Sequence, residues 1–555
     1  MSHSRSWAYG EPPRMRDNPR VMTTLELHSL RKFALIGLLV GLLTAAPLPA
    51  QQAAKSAPKS PKLVLLIAVD QFRYDYLTRF RDEYKGGFDR LLRTGANYVN
   101  AHLEHYPTVT AIGHSTMLSG ATPSLSGIIG NDWYDRESGK TVTSVADEST
   151  QQLGGSVTTG SSPRRLLVST IGDEMKRAHR DQPKVIGLSL KDRSGILPVG
   201  HMADAAYWYD PKTGDFVSST YYFPALPGWA QAFNQRRLAD KFAGLNWVFD
   251  KSSPQGTFKM PTALDDKLYA AVYSTPYGNE LIEQFAEETI RREKLGQRGA
   301  TDLLTISFSS NDAIGHTHGP DSAQVHDVSV RTDAILAKLF QYIDQTIGMQ
   351  NVLVVLTADH GVAPVPERLA KEKMPGGRMA SATLFDPIEK ALAAQYGAGK
   401  WLLSTAGSSP YFNWPLIQAK KLDPQQVERV AARAALGVPH VSRVFTRRQL
   451  VEGDAGVDRV SQRVLRSFSA QRSGDLEILF DPFWIRATGT GTTHGTPYSY
   501  DSHIPLIFMG PGIKPGRYVR PVALNDLAAS LATLLNIETP NGCTGQPLFE
   551  MLANN

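Results

Sequence analysis

Short apolar segments recur along this chain, and most of them end at a polar residue that can take part in chemistry. The segments are LVLLIAV at 63–69, VIGLSL at 185–190, LLTISF at 303–308, VLVVL at 352–356 and PLIFM at 505–509. Segments of this length that are apolar at nearly every position predict strands buried on both faces, as in a parallel sheet covered by helices. The sequence therefore predicts an α/β fold with a mostly parallel central sheet sandwiched by helices.

Segments between these strands carry helical periodicity. Apolar residues recur every three or four positions in 325–343, and 525–537 (NDLAASLATLLNI) has the same pattern, which is typical of helices that bury one face. In an open α/β sheet, ligands bind where strands end at their carboxyl edge. Four polar residues that follow predicted strands are expected to meet at that edge: Asp70, Lys191, Asp312 and Asp359.

The amino-terminal region has the pattern of a secretory signal. Arg31 and Lys32 precede an apolar stretch of 14 residues, FALIGLLVGLLTAA, and small residues follow it. The stretch is shorter than the ~20 residues that a membrane-spanning helix needs. We therefore predict a signal region at 1–50 with cleavage near Ala50, a linker at 51–62, and a periplasmic or secreted product without stable membrane insertion. Translation from Met22 is an alternative start.

Charge and cysteine content exclude several classes of protein. The net charge is +6, but residues 1–50 hold six basic and three acidic residues, which leaves +3 on the other 505. This is too little to predict a nucleic-acid partner. The single cysteine, Cys543, excludes an intramolecular disulfide and a cysteine-built metal site. We expect a monomer that acts on small molecules.

Two regions interrupt the alternation of strands and helices. Residues 202–290 are rich in aromatic residues and proline, and we interpret them as an insertion or cap over the site. Residues 365–485 contain helical patches and are interpreted as a second insertion. The prediction is one catalytic domain at 63–555 that carries both.

Histidines and aspartates cluster at the ends of predicted strands. Asp312 and His316 occur in NDAIGH, where Gly315 could allow a tight turn, and Asp359 and His360 are adjacent in TADHG. Oxygen and imidazole ligands together suit Zn²⁺ or a related divalent ion. Each motif alone is more often a hydrogen-bonded pair, but several of them at strand ends favour a metal site. The remaining members are Asp70 and His494, whereas His318, His326 and His503 are interpreted as structural.

A hydroxyl nucleophile is expected in HYPTVTAIGHS, at 105–115. This threonine-rich segment leads into a predicted helix, and a helix amino terminus favours anions. The residues alone leave three candidates open: Thr108, Thr110 and Ser115. The threonines could instead only cap the helix.

Several motifs, taken in order, resemble the alkaline phosphatase superfamily. They are AVDQFRYDYL, YPTVTAIGH, GIIGNDWYD, LKDRSGILPVGH, SSNDAIGH, TADHG and THGTPYSYDSHIPLIFMG. The nearest branch is the phosphate-irrepressible (PafA-like) alkaline phosphatases, which are related to the type I phosphodiesterase/nucleotide pyrophosphatase family. The resemblance covers about 63–200, 300–365 and 490–550.

The resemblance implies a role for each site residue. Thr110, four residues before His114, would be the nucleophile, and Thr108 would be structural. Asn131, Lys191 and Arg193 would contact phosphoryl oxygens. Two Zn²⁺ ions would be held by two ligand sets: Asp312, His316 and His494 for one, and Asp70, Asp359 and His360 for the other, with Thr110 beside it.

The resemblance also implies the reaction. We expect an exported zinc-dependent phosphomonoesterase that works through a phosphothreonine. Two zinc ions, three aspartates, a Thr110 alkoxide and the Lys191–Arg193 pair leave two positive charges, which match a monoester dianion. The alternatives are a phosphodiesterase or nucleotide pyrophosphatase on the same site, and a non-catalytic metal or phosphate binder. A sulfatase is excluded because Cys543 is followed by TGQP.

Overall fold

The five predicted strands form the centre and one flank of an eleven-stranded sheet. The computed structural model describes residues 60–407 and 409–553, so the predicted signal region and residues 51–59 of the predicted linker lie outside the described residues. The strands of this sheet, in chain order, are β1 (Leu63–Val69), β2 (Ala96–Tyr98), β3 (Ala146–Leu153), β4 (Thr159–Ser161), β5 (Val185–Ser189), β6 (Ala205–Asp210), β7 (Asp215–Ser219), β8 (Asp302–Phe308), β9 (Val352–Thr357), β10 (Leu506–Met509) and β11 (Gly516–Tyr518).

The sheet is parallel at its centre and largely antiparallel on its flanks. Its order is β11-β2-β10-β9-β1-β8-β5-β6-β7-β3-β4. The neighbours from β9 to β6 run parallel, but β10 is antiparallel to β9 and β2, and β7 is antiparallel to β6 and β3. The prediction of a mostly parallel sheet therefore holds only for the centre. A strand buried on both faces has the same apolar pattern in either direction, so the pattern could not show that β10 is reversed.

Two sets of helices cover the two faces of the sheet. A Cβ atom at Gly172 would lie 2.7 Å from Val185 Cγ1, so one set packs tightly on β5. Gly296 lies against Leu63 on the opposite face. The main helices are α1 (Gly87–Thr94), α2 (Thr110–Ser119), α3 (Ile171–Ala178), α4 (Asp192–Ile196), α5 (Pro276–Glu293), α6 (Ser310–His318), α7 (Ala323–Thr346) and α8 (Asp526–Leu535). Within the described part of the chain, no helix combines the length and apolarity needed to cross a membrane.

The region predicted as a cap at 202–290 differs from that interpretation. It begins with β6 and β7, which extend the central sheet. It continues with helix Gly228–Gln235, the hairpin Asn246–Val248 and Thr257–Lys259, helix Asp266–Tyr273 and most of α5. The aromatic residues that hid its periodicity pack together at the sheet, where Phe216 stacks on Phe285 with ring centroids 4.0 Å apart.

The region at 365–485 builds a hydrophobic cluster of its own. Helices Ser381–Tyr396 and Pro424–Leu436 pack together, and Pro424–Leu436 also packs on the antiparallel pair Val441–Thr446 and Leu476–Phe480. Trp401 is fully buried in this cluster. The other helices of the region are Pro366–Lys371, Trp414–Ala419, Arg447–Glu452 and Arg459–Ser467.

Candidate active site

The carboxyl ends of four neighbouring parallel strands place the predicted polar residues at one edge of the sheet. Asp70 directly follows β1, and Asp359 comes two residues after β9. Asp312 lies in the first turn of α6, after β8, and Lys191 lies between β5 and α4. Because these strands are adjacent and share a direction, the four side chains reach the same place.

The reversed strand β10 explains how His494 joins them. Leu506, at the start of β10, is in register with Thr357, at the end of β9. The segment that precedes an antiparallel strand therefore arrives at the edge where the parallel strands end. This places the glycine-rich loop that carries His494 beside Asp312.

Six side chains form two groups that could each hold a metal ion. We call Asp70, Asp359 and His360 the inner group, and Asp312, His316 and His494 the outer group; within each, the ligand atoms lie within 4.8 Å of one another. In the inner group, His360 Nε2 lies 3.5 Å from Asp70 Oδ1 and 3.3 Å from Asp359 Oδ2. In the outer group, Asp312 Oδ1 lies 3.2 Å from His316 Nε2 and 3.7 Å from His494 Nε2. These are the two ligand sets that the resemblance implied.

Unsatisfied oxygens in the inner group fit a bound cation. Asp70 Oδ1 and Asp359 Oδ2 are buried and have no hydrogen-bond partner among the described residues. A buried carboxylate oxygen without a partner costs free energy, and a metal ion removes that cost. The donor set of the inner group therefore suits a divalent ion.

The three histidines share one hydrogen-bonding pattern. Each places Nδ1 at a backbone carbonyl: His316 at Thr492 (2.9 Å), His360 at Gly361 (2.9 Å) and His494 at Thr108 (2.7 Å). A carbonyl can only accept, so each Nδ1 carries the proton and each Nε2 is left as a lone-pair donor. Histidine ligands of metals are commonly oriented in this way.

Burial and neighbouring charges shift the pKa values of these groups in different directions. Burial raises the pKa of Asp70, and the nearby Asp359 carboxylate raises it further. Burial alone would also raise the pKa of Asp359, but His360 and His114 lower it below the usual range. Burial lowers the pKa of His494, and the adjacent His360 and His316 add to that shift. His494 is therefore held in the neutral form that ligates metals.

The structure distinguishes the three candidate hydroxyls. Thr110, the first residue of α2, places Oγ1 3.3 Å from His360 Nε2. The Thr108 hydroxyl instead donates to the Thr496 carbonyl (2.9 Å), and the Ser115 hydroxyl donates to the Ile112 carbonyl (2.9 Å). Of the three, only Thr110 directs its hydroxyl at a ligand group.

The residues predicted to contact phosphoryl oxygens lie around these groups. Asn131 Oδ1 accepts the Ala111 N–H at 2.9 Å, which orients its amide beside the start of α2. Lys191 Nζ lies 2.6 Å from both Asp70 Oδ2 and Asp312 Oδ2, so it bridges the two groups. Arg193 Nε is buried without a partner among the described residues.

Two residues of the site have contacts that the sequence did not predict. Gln71, with a left-handed φ of 62°, donates its backbone N–H to Asp359 Oδ1 (3.1 Å) and its Nε2 to Asp312 Oδ1 (2.7 Å). His114 lies 2.9 Å from both the Thr110 carbonyl and Ser307 Oγ. Gln71 carries no signal beyond its position next to Asp70, whereas His114 belongs to the motif YPTVTAIGH but had no role of its own in the prediction.

Gly315 has a different role from the predicted tight turn. Helix α6 runs through it, and the four-residue spacing on that helix brings Asp312 and His316 together. A Cβ atom at Gly315 would clash with the Gln71 side chain, at 1.8 Å from Oε1. The glycine makes room for Gln71.

The three histidines interpreted as structural lie outside both groups. His326 Nε2 pairs with Glu83 at 2.6 Å. His503 stacks between Tyr74 and His102, with ring centroids 4.6 and 4.7 Å apart. His318 is at the end of α6.

A cleft of about 360 Å³ opens at the outer group. His316, His494 and Asn131 are among the residues that line it. Other lining residues come from the region at 365–485 and the residues that follow it, including Glu477 and Arg486. The site is therefore a pair of metal-ligand groups with a hydroxyl beside the inner group and a cleft beside the outer one.

This fold and site define a known class of protein. The type I phosphodiesterase / nucleotide pyrophosphatase family matches residues 64–501. The chain therefore belongs to that family.

Relatives place the chain more narrowly. It is 36% identical over 542 residues to alkaline phosphatase PafA of Elizabethkingia meningoseptica, covering 93% of this chain and 98% of that protein. It is 37% identical over 525 residues to a protein of Myroides odoratus named calcium-transporting ATPase, covering 89% and 95%. The crystal structure of wild-type PafA matches with a TM-score of 0.84 and 35% identity, over 90% of this chain and 100% of the other; a variant in which a threonine, an asparagine, a lysine and an arginine are replaced matches equally well. The predicted resemblance, the α/β fold and the assignment as a hydrolase of the alkaline phosphatase kind are confirmed.

Proposed function

We propose that this chain is a phosphomonoesterase that uses two zinc ions and a phosphothreonine at Thr110. The observation that carries the proposal is the position of Thr110. Thr110 is the first residue of helix α2, and its Oγ1 lies 3.3 Å from His360 Nε2 of the inner group. A helix amino terminus and two cations would both favour a bound phosphate dianion.

The donor sets support zinc. The inner group offers two carboxylates and one imidazole, and the outer group offers one carboxylate and two imidazoles. Mixed nitrogen and oxygen ligands, three per ion, are typical of catalytic zinc sites. When bound, two such ions supply Lewis acidity to the attacking and leaving oxygens of an in-line displacement.

The chain's own residues would carry out the transfer in two stages. The Thr110 hydroxyl gives its proton to solvent and its oxygen attacks phosphorus. The bond from phosphorus to the ester oxygen breaks, and that oxygen takes up a proton from solvent as the alcohol departs. Water then cleaves the phosphothreonine and releases inorganic phosphate. Asn131, Lys191 and Arg193 would hold the non-bridging oxygens.

The variant of PafA supports this assignment of roles. In that protein the replaced threonine and asparagine stand 21 positions apart, and the lysine and arginine two apart. Thr110 and Asn131, and Lys191 and Arg193, have the same spacings here. Two cations also favour a monoester over a diester, which carries one negative charge fewer.

We further propose that the enzyme acts outside the cytoplasm. The support is the basic pair Arg31–Lys32 followed by a short apolar stretch, which is typical of a secretory signal. Fusion of residues 1–62 to a reporter enzyme would test export directly.

Replacing the candidate hydroxyls tests the mechanism. Thr110→Ala should abolish trapping of a phosphoenzyme and reduce turnover of a monoester by at least ~10³-fold, since the attacking oxygen is lost. Thr108→Ala and Ser115→Ala are matched controls and should retain the phosphoenzyme, because their hydroxyls bond to backbone carbonyls. A phosphate label on Thr108 or Ser115 would contradict the proposal.

Substrate comparison tests the reaction class. The wild-type protein should hydrolyse a phenyl phosphate monoester with a higher kcat/KM than the matched diester. ATP belongs in the panel because one relative is named as an ATPase. Preference for the diester would move phosphodiesterase activity to first place.

A further inference from the structure

The cleft beside the outer group is lined by one arginine, Arg486, as well as by His316 and His494. It follows the short strand Trp484–Ile485 and is partly buried. Among the residues that line this cleft, no other lysine or arginine is present. Arg486 is therefore the one permanently cationic side chain among the residues that line the cleft.

Arg486 forms no ion pair with any other residue that the structure describes. No carboxylate of the described residues lies within the 4 Å of an ion pair, and the guanidinium has one long hydrogen bond, 3.5 Å from Nη1 to the Thr405 carbonyl. Burial lowers the pKa of Arg486, as expected for a cation whose lost hydration has not been replaced. A guanidinium in this position retains most of its five donors for a ligand.

Two carboxyl groups also line the cleft, and neither forms an ion pair with Arg486, although Asp132 acts on it from a greater distance and partly offsets the effect of burial on the pKa of Arg486. Asp132 is exposed to solvent. Glu477 is buried and accepts the Ser409 hydroxyl at 2.7 Å. Burial raises the pKa of Glu477 to about 7, so a large part of it is uncharged at neutral pH. Arg486 therefore has no carboxylate at ion-pair distance, and its charge can pair with an anionic ligand in the cleft.

The cleft is large enough for the alcohol portion of a small ester. Its volume of about 360 Å³ falls within the ~300–1,000 Å³ of ligand pockets. His316 and His494 of the outer group line this cleft. An ester whose phosphoryl group is held at the ligand groups would therefore place its alcohol portion in the cleft.

We infer that Arg486 binds an anionic group on the alcohol portion of the substrate, so that this enzyme favours monoesters that carry a second negative charge. The group is a carboxylate or a phosphate, both of which match the planar fork of a guanidinium. This inference rests on the proposed phosphatase function and adds the class of its substrate.

A set of matched phenyl phosphates tests the inference. The ring carries, in the meta or para position, a carboxylate, a second phosphate or a neutral carboxamide of similar size. Arg486→Gln should lower kcat/KM for the carboxylate or phosphate esters by roughly 10- to 100-fold, the effect of losing one charge-assisted hydrogen bond. The loss for the carboxamide esters should be much smaller, and Arg486→Lys should restore part of the preference.

Arg447→Gln is the matched control. Arg447 is also partly buried, has no carboxylate of the described residues within ion-pair distance, and does not line the cleft. Arg447→Gln should change kcat/KM for the anionic and the neutral esters by equal factors. Carboxylate esters and bisphosphates are compared separately, so the larger of the two losses identifies which anion the site prefers.

Each outcome bears on a different claim. Equal losses for anionic and neutral esters in Arg486→Gln would overturn the role of Arg486 and leave the phosphatase function intact. Absence of turnover of every ester by the wild-type protein would overturn the phosphatase function itself. A melting temperature close to that of the wild type, with turnover of the carboxamide ester, shows that the variant is folded.

Discussion

The inner and outer ligand groups use the same residue types in different surroundings. The side chains of Asp70, Asp359 and His360 are 0% exposed. In the outer group, Asp312 is 7%, His494 6% and His316 36% exposed. The cleft is lined by His316 and His494 and by no member of the inner group. The inner group is fully buried. The outer group borders the cleft, where the alcohol portion of the proposed substrate would lie.

The origin of the ligands explains this difference. The inner ligands follow β1 and β9, which are central strands held on both sides by neighbours. The outer ligands come from helix α6 and a glycine-rich loop at the surface of the sheet edge. Rigid strand ends hold side chains more accurately than loops do. Under the proposed function, the inner group would position the nucleophile and the outer group would serve the leaving alcohol.

Among changes to the two ligand groups, the largest expected effect comes from Asp359→Asn in the inner group. The change keeps the side-chain shape but removes a fully buried charge that His114 and His360 face. Losing a group that supports charge stabilisation in the transition state costs ~3–4 kcal/mol, or roughly 10²- to 10³-fold in turnover. His316→Ala in the outer group should cost ~10- to 100-fold, and added zinc should recover part of it because water can reach that position. Metal content and kcat/KM are measured for both variants.

The comparison between the groups fails if the two variants behave alike. Equal losses, with equal recovery by zinc, would mean that exposure does not separate the two sites. Full activity of Asp359→Asn would remove Asp359 from the site.

An intermediate effect is expected from Gln71→Asn. The backbone N–H of Gln71 reaches the inner group, but its side chain reaches only Asp312 of the outer group. Asparagine tolerates the left-handed φ of 62° at this position, so the change shortens the amide without adding backbone strain. Losing a partner of a metal ligand typically weakens metal binding ~10- to 100-fold. The loss should appear only in the zinc held by the outer group, as measured by titration with a chelator.

The smallest expected effect concerns stability on the cleft side. Burial raises the pKa of Glu477 to about 7, against ~4.3 in an unfolded chain. Between these values the folded state binds more protons than the unfolded state, so this residue reduces stability as pH rises from about 4.3 to 7. Glu477→Gln removes that dependence. Its melting temperature should match the wild type near pH 4.5 and exceed it at pH 8, by an amount equivalent to at most ~4 kcal/mol.

A control at low pH separates this cause from packing. A gain in melting temperature that is the same at pH 4.5 and pH 8 would show that ionisation of Glu477 is not responsible. A loss at both values would indicate that the Ser409 hydrogen bond requires a carboxyl group.

Particular residues show which parts of the site could be predicted from the sequence and which could not. Asp70 and Asp359 were found because each follows a strand whose apolar pattern is unambiguous. Gln71 was missed because a glutamine after a strand has no pattern of its own, and its role depends on contacts to residues 241 and 288 positions away. The aromatic residues at 202–290 were interpreted as a cap, since mutual stacking at the sheet leaves no regular spacing. Arg486 and Glu477 both line a cleft that has no local sequence motif.

The sequence by itself determined the central strands, the helices with clear periodicity and the polar residues at the strand ends. These are local properties, set by burial and by the period of a strand or helix. Only the tertiary structure decided the direction of β10, and with it the approach of His494 to Asp312. It alone turned Thr110, and not Thr108 or Ser115, towards the inner group, and placed Lys191 between two carboxylates. Such relations depend on which distant segments pack together, because side chains far apart in the chain meet only after the sheet is assembled.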